Sequence, residues 1–237
     1  MERTKTGISG FDKMFTDGIP AQGTMLISGS PGSGKTIFCL QSLIEGAKNN
    51  EKGLYISFEQ DAEELIHQAE RFGWDVNTLQ KKGLLVFHSF SVDEIGHDIM
   101  FRVKELIKKS GASRVVIDSI TTLNVLAGGF DGERPTQEAQ LRYFTYKFIG
   151  GIKQLGALVL LPNQLSGDEW MEKDSVAEFA VDCIVVLKFL GAAGESSRTI
   201  SIKKARQTEF DENIHPLEIG KEGIKVLEAE KIDFKFK

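Results

Sequence analysis

The chain contains Gly29-Ser30-Pro31-Gly32-Ser33-Gly34-Lys35-Thr36, which fits the phosphate-loop pattern G-x-x-x-x-G-K-[ST]. An apolar run at 24–28 precedes it, and a helix-like segment follows. Glycines let backbone N–H groups approach phosphate oxygens, and the following helix adds the positive end of its dipole. A simple glycine-rich turn is the alternative, but the flanking strand and helix favour a phosphate cradle. We therefore predict that residues 30–36 bind a nucleoside triphosphate, with Lys35 on the β- and γ-phosphates and the Thr36 hydroxyl on Mg²⁺.

Length and composition suit one large α/β domain over residues 1–237, because 41% of the 237 residues are hydrophobic. No apolar run approaches the roughly 20 residues of a membrane span, and the N-terminus lacks the apolar core of a signal peptide. We expect a soluble, cytoplasmic protein that does not associate with membranes. The net charge of -5 gives no electrostatic footprint for a nucleic-acid binder.

The cysteines, histidines and phenylalanines do not indicate a disulfide, a metal site or a base-stacking surface. Cys39 and Cys183 lie in apolar segments, which predicts small buried side chains rather than a disulfide or a metal site. The 4 histidines lack metal-ligand spacing, so a zinc site is not expected. Most of the 16 phenylalanines occupy apolar positions of predicted strands and helices, which favours a core role over base stacking. Examples are Phe38, Phe58, Phe87 and Phe101.

Apolar, β-rich runs alternate with segments of helical period along most of the chain. The predicted strands are 24–28, 54–58, 84–87, 115–117, 157–161, 183–187, 199–204, 216–219 and 223–227, and the predicted helices are 35–48, 65–72, 99–107 and 137–154. The last three strands follow one another without helices. We therefore predict an α/β fold with a mostly parallel central sheet, helices on both faces, and a C-terminal antiparallel edge closed by a glycine-containing hairpin.

Two carboxylates at the ends of predicted strands are the next chemical signals. Asp118 ends an apolar strand; in phosphate-loop enzymes such a residue holds the Mg²⁺ shell, although Asp also ends strands simply to start a turn. Glu59 follows the strand 54–58, at the edge where open α/β sheets assemble their sites, so it could orient or deprotonate the attacking water. It could equally cap the next helix beside three further acidic residues. The residues by themselves leave both roles of Glu59 open.

The chain resembles the RecA superfamily of phosphate-loop ATPases, and within it the KaiC-like proteins, over nearly its whole length. The features that carry the resemblance are Thr6-Gly7-Ile8-Ser9-Gly10-Phe11-Asp12, Gly18-Ile19-Pro20, Gly23, the phosphate loop, Ser57-Phe58-Glu59, Val116-Ile117-Asp118-Ser119, and Lys204-Ala205-Arg206 before the hairpin. The resemblance implies a RecA-like P-loop NTPase core with ATP and Mg²⁺ as ligands. It also implies that Glu59 activates water. KaiC-like proteins often have two adjacent glutamates there, whereas this sequence has Glu59-Gln60, so we expect slow turnover.

Three further site residues follow from position and resemblance. Lys204 and Arg206 are two residues apart on a predicted strand and so project from the same face. Basic residues at this place in KaiC-like and RecA-like assemblies reach the γ-phosphate bound by a neighbouring subunit, and the resemblance implies that role here. A solvated basic strand face is the alternative. Gln164 resembles the RecA-type glutamine that senses the γ-phosphate, but it could also be an ordinary loop residue.

Trp170 lies in a predicted loop, 166–174, where RecA-like recombinases place a DNA-contacting segment. Its acidic neighbours would repel phosphates, which favours a contact with a partner protein or a packing anchor. Loops are also expected at 128–135 and 190–197.

Three functions fit these observations, and we favour the first. It is an ATPase that hydrolyses ATP with Mg²⁺ at the subunit interfaces of a homo-oligomeric ring, hexameric by resemblance, in a regulatory or signalling role with an unidentified protein partner. The second is a RecA/RadA-like recombinase on DNA, which the net charge disfavours. The third is a non-catalytic, nucleotide-dependent scaffold. Ser119, Thr121 and Thr122 lie near the predicted site, but their spacing does not mark phosphate acceptors, and we do not predict autophosphorylation.

Overall fold

The chain folds around a mostly parallel sheet that carries helices on both faces. The computed structural model describes residues 2–96, 98–120, 122, 137–165, 176–190 and 198–232, without the side chains of residues 92 and 137–141. Among the helices in these ranges, none combines the length and the apolar character that crossing a membrane requires.

The strands are β1 (Arg3–Thr4), β2 (Ile19–Pro20), β3 (Gly23–Gly29), β4 (Gly53–Ser57), β5 (Leu85–Ser89), β6 (Arg114–Asp118), β7 (Leu158–Gln164), β8 (Cys183–Phe189), β9 (Arg198–Ala205), β10 (His215–Gly220) and β11 (Gly223–Val226). The main sheet has the order β11-β10-β9-β8-β3-β7-β6-β4-β5, and β1 pairs with β2 separately. Strands β3 to β8 pair in parallel, whereas β9 to β11 are antiparallel. The predicted fold class is therefore confirmed, including the C-terminal hairpin. At its turn, Gly220 at the end of β10 pairs with Gly223 at the start of β11.

The helices are α1 (Lys35–Lys48), α2 (Ala62–Glu70), α3 (Val76–Lys81), α4 (Ile99–Ser110), α5 (Gln137–Lys153) and α6 (Val176–Ala180), with 3₁₀ turns at Phe11–Met14 and Val92–Glu94. Helices α1 to α3 pack on one face of the sheet, and α4 to α6 pack on the other. Alternate residues of the central strands enter the two cores: Tyr55 of β4 joins the first, while Leu54 and Ile56 join the second. Burial on both faces explains why these strands are continuous apolar runs.

A buried arginine links the N-terminal segment to the main sheet by hydrogen bonds. Arg114, at the start of β6, is only 2% exposed. Its guanidinium donates to the Thr4 hydroxyl at 2.6 Å, to the Lys5 and Ser42 carbonyls at 2.7 and 3.0 Å, and to both Glu51 oxygens at 2.6 and 3.2 Å. Because every direction of the guanidinium fork has an acceptor, the charge is buried without an unpaired donor.

Two kinds of expectation differ from the structure. The prediction that Phe101 is a core residue is wrong: its side chain is 67% exposed, because the buried positions of α4 are Ile99, Val103 and Ile107, and residue 101 lies on the opposite side of that helix. The sequence patterns also did not predict β1, β2, α3 and α6, which are too short to show a period.

Both cysteines are buried and free, as predicted. Thr121, Trp170, the loop 128–135 and residues 191–197 lie outside the described residues.

Candidate functional site

The phosphate loop lies at the carboxyl edge of the sheet. Strand β3 ends at Gly29 and α1 begins at Lys35, so the loop joins them directly. The Lys35 ammonium donates to the carbonyls of Gly29 and Ser30 at 2.8 and 3.1 Å, which holds it inside the curve of the loop. Gly32 and Gly34 have φ values of +74° and +105°, in the left-handed region that favours glycine. The backbone therefore wraps around the lysine in the way that a phosphate cradle requires.

Two details of this loop fit an anionic ligand. The Ser33 hydroxyl is buried and has no hydrogen-bond partner among the described residues, so it is a donor that a phosphate oxygen can satisfy. A Cβ at position 29 would lie 2.6 Å from the same hydroxyl, so only glycine allows the strand end to approach the loop this closely. Burial lowers the pKa of Lys35, while the carboxylates of Asp118 and Glu59 act in the opposite direction.

Asp118 lies at the end of β6, in register with Ser57 of β4, and is only 6% exposed. The hydroxyl of Tyr55, which is fully buried in β4, donates to its Oδ2 atom. Burial raises the pKa of Asp118 to about 6; the Tyr55 hydrogen bond and Lys35 lower it, and Glu59 raises it further. The carboxylate therefore lies in a poorly solvated position that strongly favours a nearby cation.

Glu59 follows β4 and points across to the end of β6. Its Oε1 atom accepts hydrogen bonds from the Ser119 hydroxyl and, at 2.6 Å, from the Thr122 hydroxyl. Gln60 turns away from this point, because its Oε1 accepts from Gln68 of α2 at 3.3 Å. The structure thus brings a single oriented carboxylate beside Asp118 and the phosphate loop, and the second position offers an amide that is engaged with a helix.

Gln164 and an unpredicted arginine flank the loop from two other strands. Gln164 ends β7 and is in register with Gly29, so it lies at the same sheet edge as the phosphate loop. Arg198, the first residue of β9, donates from Nε to the Gly32 carbonyl at 3.1 Å and stacks over the Phe189 ring at 4.6 Å. Arg198 therefore brings a positive charge to the loop from the same chain.

A cleft of about 660 Å³ opens on the phosphate loop. Its walls come from the loop and the start of α1, from α2 and the residues after it, and from β9 and β10; they include Gln68, Arg71, Phe72, Arg198 and Ile219. This volume lies within the range of small-molecule sites, and the walls mix apolar with cationic side chains. The cleft can therefore accept the remainder of a nucleotide whose phosphates occupy the loop.

Lys204 and Arg206 lie elsewhere, toward the amino-terminal edge of the parallel strands. Ala205, between them, pairs with Cys183, which pairs with Met25; Met25 is four residues before the end of β3, or about 13 Å along the strand. Lys204 donates to the Phe179 carbonyl at 3.1 Å, and Arg206 donates to the same carbonyl at 3.3 Å. The two side chains thus share one face, but that face is remote from the phosphate loop of their own chain.

The donors around the loop also fit a magnesium ion. Thr36 is the second residue of α1, directly after the loop lysine, and Asp118 supplies a carboxylate next to Lys35. Within the described part of the chain, no three His, Cys, Asp or Glu side chains form a metal-binding group. Mg²⁺ needs no such group, because it keeps several waters and is held by one or two protein oxygens together with substrate phosphates.

Sequence reasoning missed four contributors to the site. Tyr55 could have been found from the alternation of β4, because it faces the same side as Ser57. The spacing of Ser119 and Thr122 does not distinguish phosphate acceptors from ordinary strand-end and cap residues, yet both donate to Glu59. Arg198 has no sequence signal, because its position depends on how β9 pairs with β8.

Comparison with known proteins identifies the family. Residues 4–231 match the family model described as "ATPase: KaiC". A UPF0273 protein of Thermotoga maritima is 30% identical, over 97% of this chain and 98% of that protein. A circadian clock oscillator protein KaiC of Prochlorococcus marinus is 30% identical over 96% of this chain, which spans only 45% of that longer protein.

The solved structures include a KaiC-like protein of Pyrococcus horikoshii that resembles this fold with a TM-score of 0.80. It is 29% identical in sequence, and the match covers 95% of this chain and 98% of the other. The likeness therefore extends over nearly the whole chain rather than the phosphate loop alone. This chain belongs to the KaiC-like ATPase family, which implies that it binds a nucleotide.

Proposed function

We propose that this protein is a Mg²⁺-dependent ATPase that forms one domain over residues 1–237 and acts as a cytoplasmic regulator. Its subunits assemble into a homo-oligomeric ring, hexameric by resemblance, and ATP is hydrolysed slowly at the interfaces between them. The observation that carries the proposal is the division of the charged groups: the phosphate loop, Asp118 and Glu59 share one sheet edge, whereas Lys204 and Arg206 lie toward the other. A second subunit supplies the missing cations.

One half of the site binds the triphosphate. The loop N–H groups and Lys35 hold the β- and γ-phosphates, while Thr36 and Asp118 are the residues that would hold Mg²⁺. The ion, when bound, neutralises negative charge on the phosphates. Lys35 is already turned into the loop by the Gly29 and Ser30 carbonyls, so little rearrangement precedes binding.

Glu59 orients the attacking water and accepts its proton. The Ser119 and Thr122 hydroxyls donate to one oxygen of the carboxylate, which fixes its direction and leaves the other oxygen for water. Gln164, level with the end of β3, contacts the γ-phosphate and reports whether it is present. Because Gln60 supplies no second carboxylate, hydrolysis is slow.

The other half comes from the neighbouring subunit. Lys204 and Arg206 place two cations on one face, and the backbone carbonyl of Phe179 holds them side by side. Near a neighbour's γ-phosphate they would stabilise the charge that develops in the transition state. Hydrolysis therefore depends on assembly.

A mixing experiment tests the shared site. Glu59→Gln removes the water-activating group, and Arg206→Ala removes the cation that acts on the neighbour; each variant by itself should be nearly inactive. In equal mixtures, about a quarter of the interfaces join an intact Glu59 to an intact Arg206, so activity should recover to about that fraction of wild type. The measurement is phosphate release after subunit exchange.

The matched control is Lys203→Ala, an exposed cation on the same strand, which should leave the rate unchanged. Full activity of Arg206→Ala, or an absence of recovery in a mixture that co-assembles, would contradict the trans role. An ATPase rate per subunit that is independent of protein concentration down to the monomer would do the same.

A further inference from the structure

An aromatic and cationic surface lies on the side of the sheet covered by α5 and α6. Tyr143 and Tyr146 of α5 are 64% and 57% exposed, and Phe179 of α6 is 67% exposed. Arg142 and Lys147 flank them, and the Lys147 ammonium lies 5.1 Å from the centre of the Tyr143 ring. These five residues, here called the docking face, line one shallow groove. Three large rings exposed together are more than the scattered apolar residues of an ordinary surface.

The docking face is continuous with the two cations that the proposed function assigns to a neighbouring subunit. Lys204 and Arg206 both donate to the Phe179 carbonyl, and Lys204 also donates to the Glu178 carbonyl at 2.8 Å. These contacts hold the two cations of the β9 segment against the backbone of α6, at the residue that carries the exposed Phe179 ring. A second molecule that contacts Lys204 and Arg206 would therefore lie next to α6 and its exposed Phe179.

The opposite charge lies across the sheet from these cations, because four strands separate β9 from β4, the strand that leads into α2. Asp61, Glu63 and Glu64, here called the acidic edge, precede or open α2 and are all exposed. They follow Glu59 within five residues, after the carboxyl end of β4. Lys147 and Arg142 line the same groove as Phe179, whose carbonyl accepts from Lys204 and Arg206, and they are complementary in sign to this edge. Complementary surfaces on two separate parts of one chain suit a head-to-tail contact, which forms a ring where the rotation between subunits closes.

We propose that the docking face binds the acidic edge of a second copy of this chain. The proposal rests on the proposed function, because the same contact would bring Lys204 and Arg206 to the neighbour's nucleotide. The aromatic rings supply the apolar centre of the interface, and the charged pairs around them set its direction. A single-stranded nucleic acid could also use rings and cations, but the net charge of -5 and the matching acidic edge on the same chain favour a second copy.

The first test replaces rings without changing charge. Tyr146→Ser/Phe179→Ser should raise the protein concentration needed for half-assembly in Mg²⁺ and ATP by at least about tenfold, measured by sedimentation velocity. The matched control is Phe101→Ser, because Phe101 is also 67% exposed but lies on α4, outside the docking face. Circular dichroism should show both variants folded, since the replaced side chains are largely solvent-exposed. Wild-type assembly of the double variant would overturn the proposal.

The second test exchanges charges. Arg142→Glu/Lys147→Glu makes the docking face acidic, and Glu63→Lys/Glu64→Lys makes the acidic edge basic, so neither variant should assemble by itself. An equal mixture should assemble, because each contact then pairs opposite charges again. If each variant assembles alone as wild type does, the acidic edge is not the occupant. If the face variant keeps assembling but loses binding of a labelled single-stranded oligonucleotide that wild type binds, the face is a nucleic-acid site and the proposal is wrong.

These outcomes are separable from a failure of the proposed function. If the ring substitutions weaken assembly but Arg206→Ala hydrolyses ATP as fast as wild type, the proposed interface is supported and the shared catalytic site is contradicted. If activity requires Arg206 in trans but the ring substitutions leave assembly unchanged, the shared catalytic site is supported and the proposed interface is contradicted.

Discussion

The Tyr55→Phe substitution should lower the free energy of unfolding by about 2 kcal/mol near pH 8. The substitution deletes only the hydroxyl, which donates to the buried Asp118 carboxylate, and hydrogen bonds to charged groups contribute about 1.5–3 kcal/mol. The ring itself is fully buried and stacks on Phe87 at 5.9 Å, and phenylalanine preserves that packing. The loss is therefore the electrostatic part alone.

The same substitution should matter less in acid. Burial raises the pKa of Asp118 to about 6, and the Tyr55 hydroxyl acts in the opposite direction by favouring the ionised form. Its removal thus raises the folded-state pKa further. The stabilisation by Tyr55 is full above that pKa and declines as the pH falls through about 6, where the carboxyl is neutral. At about pH 5 only a neutral hydrogen bond is lost, which contributes about 1 kcal/mol.

Urea unfolding of wild type and Tyr55→Phe at both pH values, without nucleotide or Mg²⁺, measures this difference directly, because bound ligand would add its own stabilisation. Tyr143→Phe is the matched control: its side chain is 64% exposed, so its loss should stay within about 0.5 kcal/mol at either pH. A loss for Tyr55→Phe that is equal at the two pH values, or one no larger than the control, would refute the reasoning.

Three further predictions address the site and the framework. Glu59→Gln should slow ATP hydrolysis by about a hundredfold or more while nucleotide affinity stays unchanged, because the amide oxygen can still accept from the two hydroxyls but cannot take a proton. Glu212→Gln, at an exposed glutamate outside the site and the acidic edge, is the control, and single-turnover kinetics with a fluorescent-nucleotide titration measure both quantities. Excess chelator should reduce hydrolysis to the buffer background, and added Mg²⁺ should restore it; hydrolysis that continues in chelator would contradict the role of the ion. Gly46→Ala should lower the urea midpoint although alanine is the better helix former by about 1 kcal/mol, because a Cβ there would lie 2.6 Å from Cδ and Nε of the buried Arg114; a raised midpoint would show that the guanidinium moves without cost.

The strands and the phosphate loop were predictable because their signals are local. Strand β3, the loop and α1 depend on neighbouring residues: an apolar run, glycines that allow positive φ, and a helix of ordinary period. The helix start at Lys35 and its end at Lys48 agree with the prediction. Phe101 shows the limit of this reasoning, because its apolar character does not specify which side of α4 it occupies. The buried side is defined by the spacing of Ile99, Val103 and Ile107, and Phe101 does not fit that spacing.

The sequence by itself determined the fold class, the phosphate loop and the two carboxylates at strand ends, because each depends on a short run of neighbouring residues and on the rule that parallel strands end at one edge. Only the tertiary structure decided what surrounds them. Tyr55 meets Asp118, and Arg198 meets Gly32, through strand register and sheet order, which join residues 63 and 166 positions apart. The separation of Lys204 and Arg206 from the phosphate loop likewise follows from the register of β9 on β8, which places Ala205 opposite Cys183 and which no local pattern specifies.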